Sequence, residues 1–340
     1  MNQHVPTTKW AEAESVRAVR RQALDRLITA ALTAGVVVTL ASYLGRTYWL
    51  LELFTHFRMH LATGLILVLL VALARRRLAV AVVAAVVAAA NLLPMLPYIT
   101  PGPPQAEASQ AGIRIMSANV SLHNGDYAAL RTAISQENPD VVGLQEVTDK
   151  WLDELSSIRA DYPFTVLRPE DGAYGLALFS RFPMREVRSS PYREEGIQTA
   201  VSVDLEVRQK SVTLVLAHLK APTTPRNAAL RNRQIDRLAA MIRNDRNDEQ
   251  ILVGDFNTTP WSPNYLPLET EANLTNAARG RGYQATWPVG LGFLKIPIDH
   301  CIVSTGLRVR QMRTGKDIGS DHFPIIVDVA FADVPTSASR

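Results

Sequence analysis

Two hydropathy patterns divide the chain. Leu27 to Leu44 runs 18 residues without a charge, and Leu78 to Thr100 runs 23. A bilayer core takes about 20 apolar residues per helix, so both runs predict spanning helices. Between them Met59 to Ala74 is a shorter run of 16 that carries His60. It reaches spanning length by extending back to Phe57, with Arg58 snorkelling to the interface. Three spans are therefore expected, over 27–44, 57–74 and 78–98. Leu50 to Phe57, broken by Glu52 and His56, reads as juxtamembrane. Tyr43, Tyr48, Trp49 and Tyr98 fall where an aromatic belt would lie. Two such runs within one short stretch argue against a soluble helical hairpin. The 26-residue lead-in lacks a small-residue cleavage site, which argues against a removed signal peptide.

From residue 112 the pattern changes. Ile113 to Val120 and Val141 to Leu144 read as buried strands, as does Tyr174 to Phe179. Val201, Val203, Leu205 and Val207 alternate with polar residues, which predicts a half-buried strand paired with Ser211 to Leu219. Ile251 to Gly254 and Ile325 to Val329 complete the predicted strands. Asp126 to Asn138 reads as a helix capped by Asp126 and stopped by Asn138-Pro139. Arg226 to Arg243 reads as a long helix with Leu230, Ile235, Leu238 and Ile242 inward. Its arginines 226, 231, 233, 237 and 243 read as a solvated face. These elements predict a β core flanked by helices over residues 112–332. Residues 101–111 form a Pro/Gly/Ser linker that reaches at most roughly 40 Å at about 3.3 Å per residue. Residues 333–340 read as a disordered tail.

Composition changes this picture in two places. The net charge of +4 looks like a hint of nucleic-acid binding, but residues 1–109 carry +5 and residues 110–340 carry −1. The basic excess belongs to the N-terminal third. Residues 1–26 and the Arg75-Arg76-Arg77 triplet hold most of it. The positive-inside rule then puts both in the cytoplasm. With three spans, everything after Pro101 lies on the outer face of a cell inner membrane. Cys301 is the sole cysteine, so an intramolecular disulfide and a Cys-based zinc cluster are excluded.

Polar residues at strand ends carry the candidate chemistry. Asn119 ends IRIMSANV, Gln145-Glu146 end VVGLQE, and His218 ends TLVLAHLK. Asp255 and Asn257 follow ILV in GDFN, Asp299-His300 lie in PIDH, and Ser320-Asp321-His322 precede the last strand. Each alone has an ordinary structural explanation: a turn, a helix cap or a satisfied core histidine. Together they ask for a common cause. Hard oxygen donors from Glu146, Asp321 and the Asn119 amide suit Mg²⁺ or Mn²⁺. Asp255 can take the proton of an attacking water, Asn257 can donate to an oxyanion, and His322 can donate to a phosphoryl oxygen. That set suits hydrolysis of a phosphate ester. No GxSxG, P-loop, HExxH or CxxC occurs, so serine-hydrolase, NTPase, zincin and thiol-redox readings lack support.

The order of these residues, with NPDVVGLQEV, YGLALFSRFP, GDFN and SDHFP, resembles the endonuclease/exonuclease/phosphatase superfamily over Ile113 to Val329. The three-span N-terminus resembles a bacterial membrane-anchored branch. The resemblance implies an α/β, DNase I-like four-layered sandwich of two packed sheets flanked by helices. It implies Glu146 as main metal ligand with Asn119 and Asp321 close to the ion. It implies Asp255 as base, Asn257 at the phosphate, and Asp299 and Asp321 flanking metal and histidine. Asp321 or a neighbour would orient His322. His218 matches the position where the DNase I and sphingomyelinase branches keep a histidine, and would protonate the leaving oxygen. Tyr174 and Trp287 are candidate substrate contacts. The apolar segment Thr286 to Pro297 reads as core or as a lip touching lipid or a base. The substrate is then a nucleic-acid phosphodiester or, near a bilayer, a lipid headgroup diester. A third reading is an inactive membrane interaction module.

Overall fold

The computed structural model describes residues 7–102, 112–188, 193–194 and 196–332. They form two compact units, one of residues up to Gly45 with Leu51–Met95, the other of Arg46–Leu50 with Leu96 onward. The outer part of the linker (103–111) and the tail (333–340) lie outside the described residues.

The first unit is helical. It comprises α1 (Thr7–Tyr43), α2 (Trp49–His56), α3 (Arg58–Ala74) and α4 (Leu78–Leu92). Glu12–Tyr43 and Leu78–Ile99 are long and apolar enough to cross a membrane. The middle run differs from expectation. The juxtamembrane stretch is itself helical, and α2 meets α3 at a 65° bend, so a third span requires the bent pair to act as one. Buried Ala62, Ala72, Ala81, Ala84 and Ala88 let the helices approach closely. Asn91 Nδ2 donates to Thr39 Oγ1 at 2.8 Å across that packing. Arg58 does not snorkel. It is buried with its guanidinium 4.4 Å over the Tyr43 ring, a cation–π contact that keeps the charge inside the bundle.

The second unit holds the strands. After α5 (Leu96–Ile99) come β1 (Ile113–Asn119), α6 (Tyr127–Glu137), β2 (Val141–Gln145), α7 (Asp149–Glu154), β3 (Phe164–Arg168), β4 (Leu176–Ser180) and β5 (Met184–Arg188). The two-residue strands β6 (Arg193–Glu194) and β7 (Ile197–Gln198) form a separate ribbon. Then follow β8 (Ala200–Val207), β9 (Lys210–His218), α8 (Pro225–Arg243), β10 (Gln250–Asp255), α9 (Leu266–Thr270), β11 (Leu274–Asn276), β12 (Asp299–Ser304), β13 (Leu307–Thr314) and β14 (Ile325–Phe331). One six-stranded sheet runs β13-β14-β1-β2-β4-β3 and the other β11-β12-β10-β9-β8-β5. Their inner faces pack against each other, close enough that a Cβ on Gly143 would sit 2.7 Å from Leu216. On one outer face α6 and α7 bury Leu130, Ile134, Trp151 and Leu152 against β1, β2 and β4. On the other, α8 and α9 bury Ile235, Leu238, Ile242 and Leu268 against β9 and β10. The result is a four-layered DNase I-like sandwich.

Two features position the site. β1 and β2 run parallel, as do β9 and β10, so each pair ends at the same edge of its sheet. The chain also enters the unit under tight control. Tyr98, expected in an interfacial belt, is buried instead, edge-on to Trp261 with ring centroids 6.1 Å apart. Its hydroxyl donates to Glu269 Oε1 at 3.3 Å. Gly280 N donates to Pro97 O at 2.8 Å, and Gly102 N donates to Gly280 O at 2.9 Å. The approach needs glycine at 280: its φ is +77° and a Cβ there would sit 2.7 Å from Gly102 Cα.

Candidate active site

Register places most of the candidate residues. In one sheet His218 pairs with Asp255 across parallel strands, and Asp255 pairs with Asp299 across antiparallel strands. Three ionisable side chains therefore stand in one row at one sheet edge. In the other sheet Asn119 pairs with Gln145, and Glu146 follows directly. The two rows meet. Asn119 Nδ2 donates to Glu146 Oε1 at 3.0 Å and to Asp255 Oδ2 at 3.2 Å. His218 Nε2 lies 3.5 Å from Asp255 Oδ2 and 4.0 Å from Glu146 Oε1.

The turns that carry these groups are conformationally demanding. Ser121, Glu146 and Asn257 all have positive φ, at 58°, 62° and 49°, a conformation non-glycine residues adopt at a cost and which concentrates at functional sites. Leu122 N donates to Glu146 Oε2 at 2.7 Å and so holds the carboxylate beside Asn119. Gly254 makes the GDFN turn possible, because a Cβ there would meet Ala217 O at 1.9 Å.

Asn119 and Asn257 work as struts in this arrangement. Ser121 N donates to Asn119 Oδ1 at 2.9 Å, which turns the amide NH₂ toward the two carboxylates. Asn257 N donates to Asp255 Oδ1 at 2.8 Å, and its Nδ2 donates to Asp255 Oδ2 at 3.3 Å and Leu219 O at 2.9 Å. Both amides orient Asp255.

His322 belongs to a second pair. Its Nδ1 lies 2.9 Å from Asp299 Oδ2, which fixes the proton on Nδ1, and its Nε2 lies 3.8 Å from Asp255 Oδ2. Asp299, not Asp321, orients this ring. Asp321 is exposed and accepts from Trp287 Nε1 at 3.1 Å. Among the described residues it bonds neither Glu146 nor Asn119. Trp287 lies beside His322, ring centroids 6.4 Å apart, and Tyr174 beside His218, 5.4 Å apart. Both rings border the cluster.

The electrostatics separate the roles. Burial lowers the His218 imidazole to about 4, so it is neutral at pH 7. Burial, with Asp299 adding negative charge, raises the Asp255 carboxyl to about 7. For His322 burial opposes the charged form, but Asp299 and Asp255 overcome it and raise the ring to about 10. The edge thus pairs a titrating carboxyl with a stable imidazolium.

The donor set fits a hard divalent cation. Ligand atoms of Asp255, Asp299 and His322 lie within 4.8 Å of one another. The Glu146 side chain is 18% exposed while that of Asp255 is 1% exposed, so Glu146 presents the open face. With His322 held as an imidazolium, the donors left are chiefly carboxylate oxygens, which match Mg²⁺ or Mn²⁺.

Sequence patterning misses several supports. Arg231, read as part of a solvated face, is fully buried, and its Nη1 donates to Asn257 O at 2.8 Å. A charged residue among Leu230, Gln234 and Ile235 gives no periodic sign of burial. Ser320 Oγ donates to Asn119 O at 2.7 Å and accepts from His322 N at 3.1 Å, tying the loop before β14 to the end of β1 in the same sheet. Lys220 Nζ sits 4.8 Å over the Tyr174 ring.

Comparisons with known proteins agree with this fold. The humanized D. rerio TDP2 structure superposes with a TM-score of 0.56 at 17% identity, over 65% of this chain and 100% of that one. D. rerio TDP2 is also known in complex with a single-strand DNA product, with a TM-score of 0.55 at 16% identity, over 65% of this chain and 100% of that one. The human Nocturnin catalytic domain gives 0.52 at 21% identity, over 65% of this chain and 95% of that one. In sequence, Carbon catabolite repressor protein 4 homolog 3 of Arabidopsis thaliana is 28% identical over 169 residues, 45% of this chain and 38% of that protein. The chain thus spans well under half of that relative. The model of the Endonuclease/Exonuclease/phosphatase family matches residues 116–322, which is the stretch from β1 to the histidine paired with Asp299, and the chain belongs to that family.

Proposed function

We propose that the chain is a membrane-anchored, divalent-metal-dependent hydrolase of phosphodiesters, acting by water attack at phosphorus. The observation that carries this reading is the row His218–Asp255–Asp299 closed by His322 and faced by Glu146. Asp255, ionised, accepts the proton of the attacking water. Asn119 and Asn257 aim its carboxylate. His322, held by Asp299, points Nε2 into the same space and donates to a non-bridging phosphoryl oxygen. Neutral His218 lies between Glu146 and Asp255 and relays or supplies a hydrogen bond at the leaving oxygen. Glu146, whose carboxylate presents the open face of the cluster, would hold Mg²⁺ or Mn²⁺, which would polarise the phosphoryl group and offset its negative charge. Asp321 and Trp287 form the rim, and Tyr174 offers a stacking face beside His218.

The apolar runs around α1 and α4 support anchoring in a bilayer. With three spans, the arginine bias puts the second unit on the outer face of a cell membrane. For substrate, the single-strand DNA product bound to the related fold favours nucleic acid as the first class to test. Exposed Leu291, Phe293 and Leu294 close to the rim favour a lipid headgroup diester as the second. The test uses the full chain in detergent micelles with bis(p-nitrophenyl) phosphate. Turnover with Mg²⁺ or Mn²⁺, loss with EDTA and recovery on adding metal back are expected. Single-stranded oligonucleotide and phospholipid vesicles then separate the substrate classes. A folded protein that turns over no diester with any divalent ion would leave only the reading as an inactive interaction module.

A further inference from the structure

From β1 onward the described residues expose five large apolar side chains: Val187, Leu266, Leu291, Phe293 and Leu294. Phe293 is 83% exposed. Folding normally leaves such groups scattered singly. Here three of the five fall in one short turn, residues 289–294, whose base is the bridge between Trp287 and Ile296. Gly290 and Gly292, at φ 94° and 54°, shape the tip.

This turn is wired in two directions. Toward the active site, Val289 N donates to Asp321 O at 2.8 Å and Phe323 N donates to Thr286 O at 2.9 Å, so its base grips both neighbours of His322. Toward the chain's entry point, Tyr283 Oη donates to Lys295 O at 3.0 Å. The Tyr283 ring stacks on Trp261 with centroids 5.8 Å apart, and Trp261 meets Tyr98. Tyr98 closes the apolar run that begins at Leu78. Leu266, the fourth exposed apolar residue, sits on α9, whose Glu269 accepts from Tyr98. Four of the five exposed apolar groups therefore ride on elements that reach Tyr98, α9 by a hydrogen bond and the turn through the Tyr283 and Trp261 rings.

We propose that residues 289–294 form a lip that enters the headgroup–acyl boundary of the bilayer holding the chain's own anchor. Leu291, Phe293 and Leu294 are the inserted side chains. The inference rests on the anchoring reading above. A lipid surface suits the lip better than a nucleic-acid strand, because residues 285–294 contain no Lys or Arg to meet phosphates. The cation at the base, Lys295, lies 4.8 Å over the Phe323 ring and flanks the apolar tip as interfacial basic residues do. With its base on Asp321 and Phe323, a seated lip holds the edge containing His322 against the membrane surface.

The test uses the full chain reconstituted into vesicles of phosphatidylethanolamine and phosphatidylglycerol. Cys301 is fully buried, so a single cysteine introduced at the lip takes an environment-sensitive fluorophore. Phe293→Cys and Leu291→Cys each carry the label, and Val187→Cys is the control on β5. The proposal expects blue-shifted emission at 293 and 291, quenching by lipid nitroxides placed near the headgroup, and aqueous emission at 187. Carbonate washing, run in parallel, tests the anchor separately. Protein retained by carbonate with aqueous emission at both lip positions would overturn the lip and leave the anchor standing. Equal shifts at all three positions would also overturn it, as would a shift at the lip produced only by single-stranded oligonucleotide. Release by carbonate would overturn the anchoring reading, and the lip with it.

Discussion

Asp255 and His322 stand 3.8 Å apart with opposite tasks, the first set by burial and the second by the carboxylates around it. A carboxyl raised to about 7 is half-ionised at neutral pH and accepts a proton readily. Asp255→Asn removes the acceptor while keeping the hydrogen-bonding shape. Turnover should fall about 10²–10⁴-fold, with a melting temperature at or above wild type. An unfolded variant would assign Asp255 to the fold instead. The pH dependence follows from the same pair. Activity should rise as Asp255 ionises, at a pH below the metal-free value of about 7 because a bound divalent ion favours the carboxylate, and fall as pH passes about 10, where His322 loses its proton. The stability sign is separate. His322 has a raised pKa in the fold, so its contribution is complete below about 6.5 and is lost as pH rises through about 10. Melting curves should show that loss in wild type and not in His322→Gln.

Elements explain why the site was readable and its supports were not. Asn119, Glu146, His218 and Asp255 each terminate a buried apolar strand, and the parallel pairing of β1 with β2 and of β9 with β10 brings strand ends together. A polar residue straight after an apolar run is visible in any sequence. The strands β3, β5, β11, β12 and β13 were not. Met184–Arg188 is a charged edge strand, and Leu307–Thr314 breaks its alternation at a bulge between Val309 and Gln311. Asp299–Ser304 opens with its own site residues, which disguised it as loop. Arg231 shows the same limit on a helix. Helical spacing gives its position but not the acceptor that Asn257 O provides from another element. Arg231→Leu should cost about 2 kcal/mol in chemical denaturation, since it leaves that part-buried carbonyl without its guanidinium partner. It should also reduce turnover, because the Asn257 turn aims Asp255. Unchanged stability would show that the buried guanidinium holds nothing in place.

At the scale of the whole chain, hydropathy assigned two apolar helices directly, while the bend between α2 and α3 could not be read from composition. The 65° break follows from Phe57, where one helix ends and the next begins. Topology hinges on that bend. If the bent pair counts as one span, the second unit lies outside, and an alkaline-phosphatase fusion after Ala111 should be active. An inactive fusion, with the protein present in the membrane, would place the second unit in the cytoplasm.

The central claim is that these strand ends direct water at phosphorus. Hydrolysis of a diester in ¹⁸O-labelled water, with Mg²⁺ or Mn²⁺ present, tests it most directly. Mass spectrometry should find one ¹⁸O in the phosphate monoester and none in the released alcohol. Label in the alcohol would mean attack at carbon, and would contradict the assignment of Asp255 and His322 to a phosphorus centre.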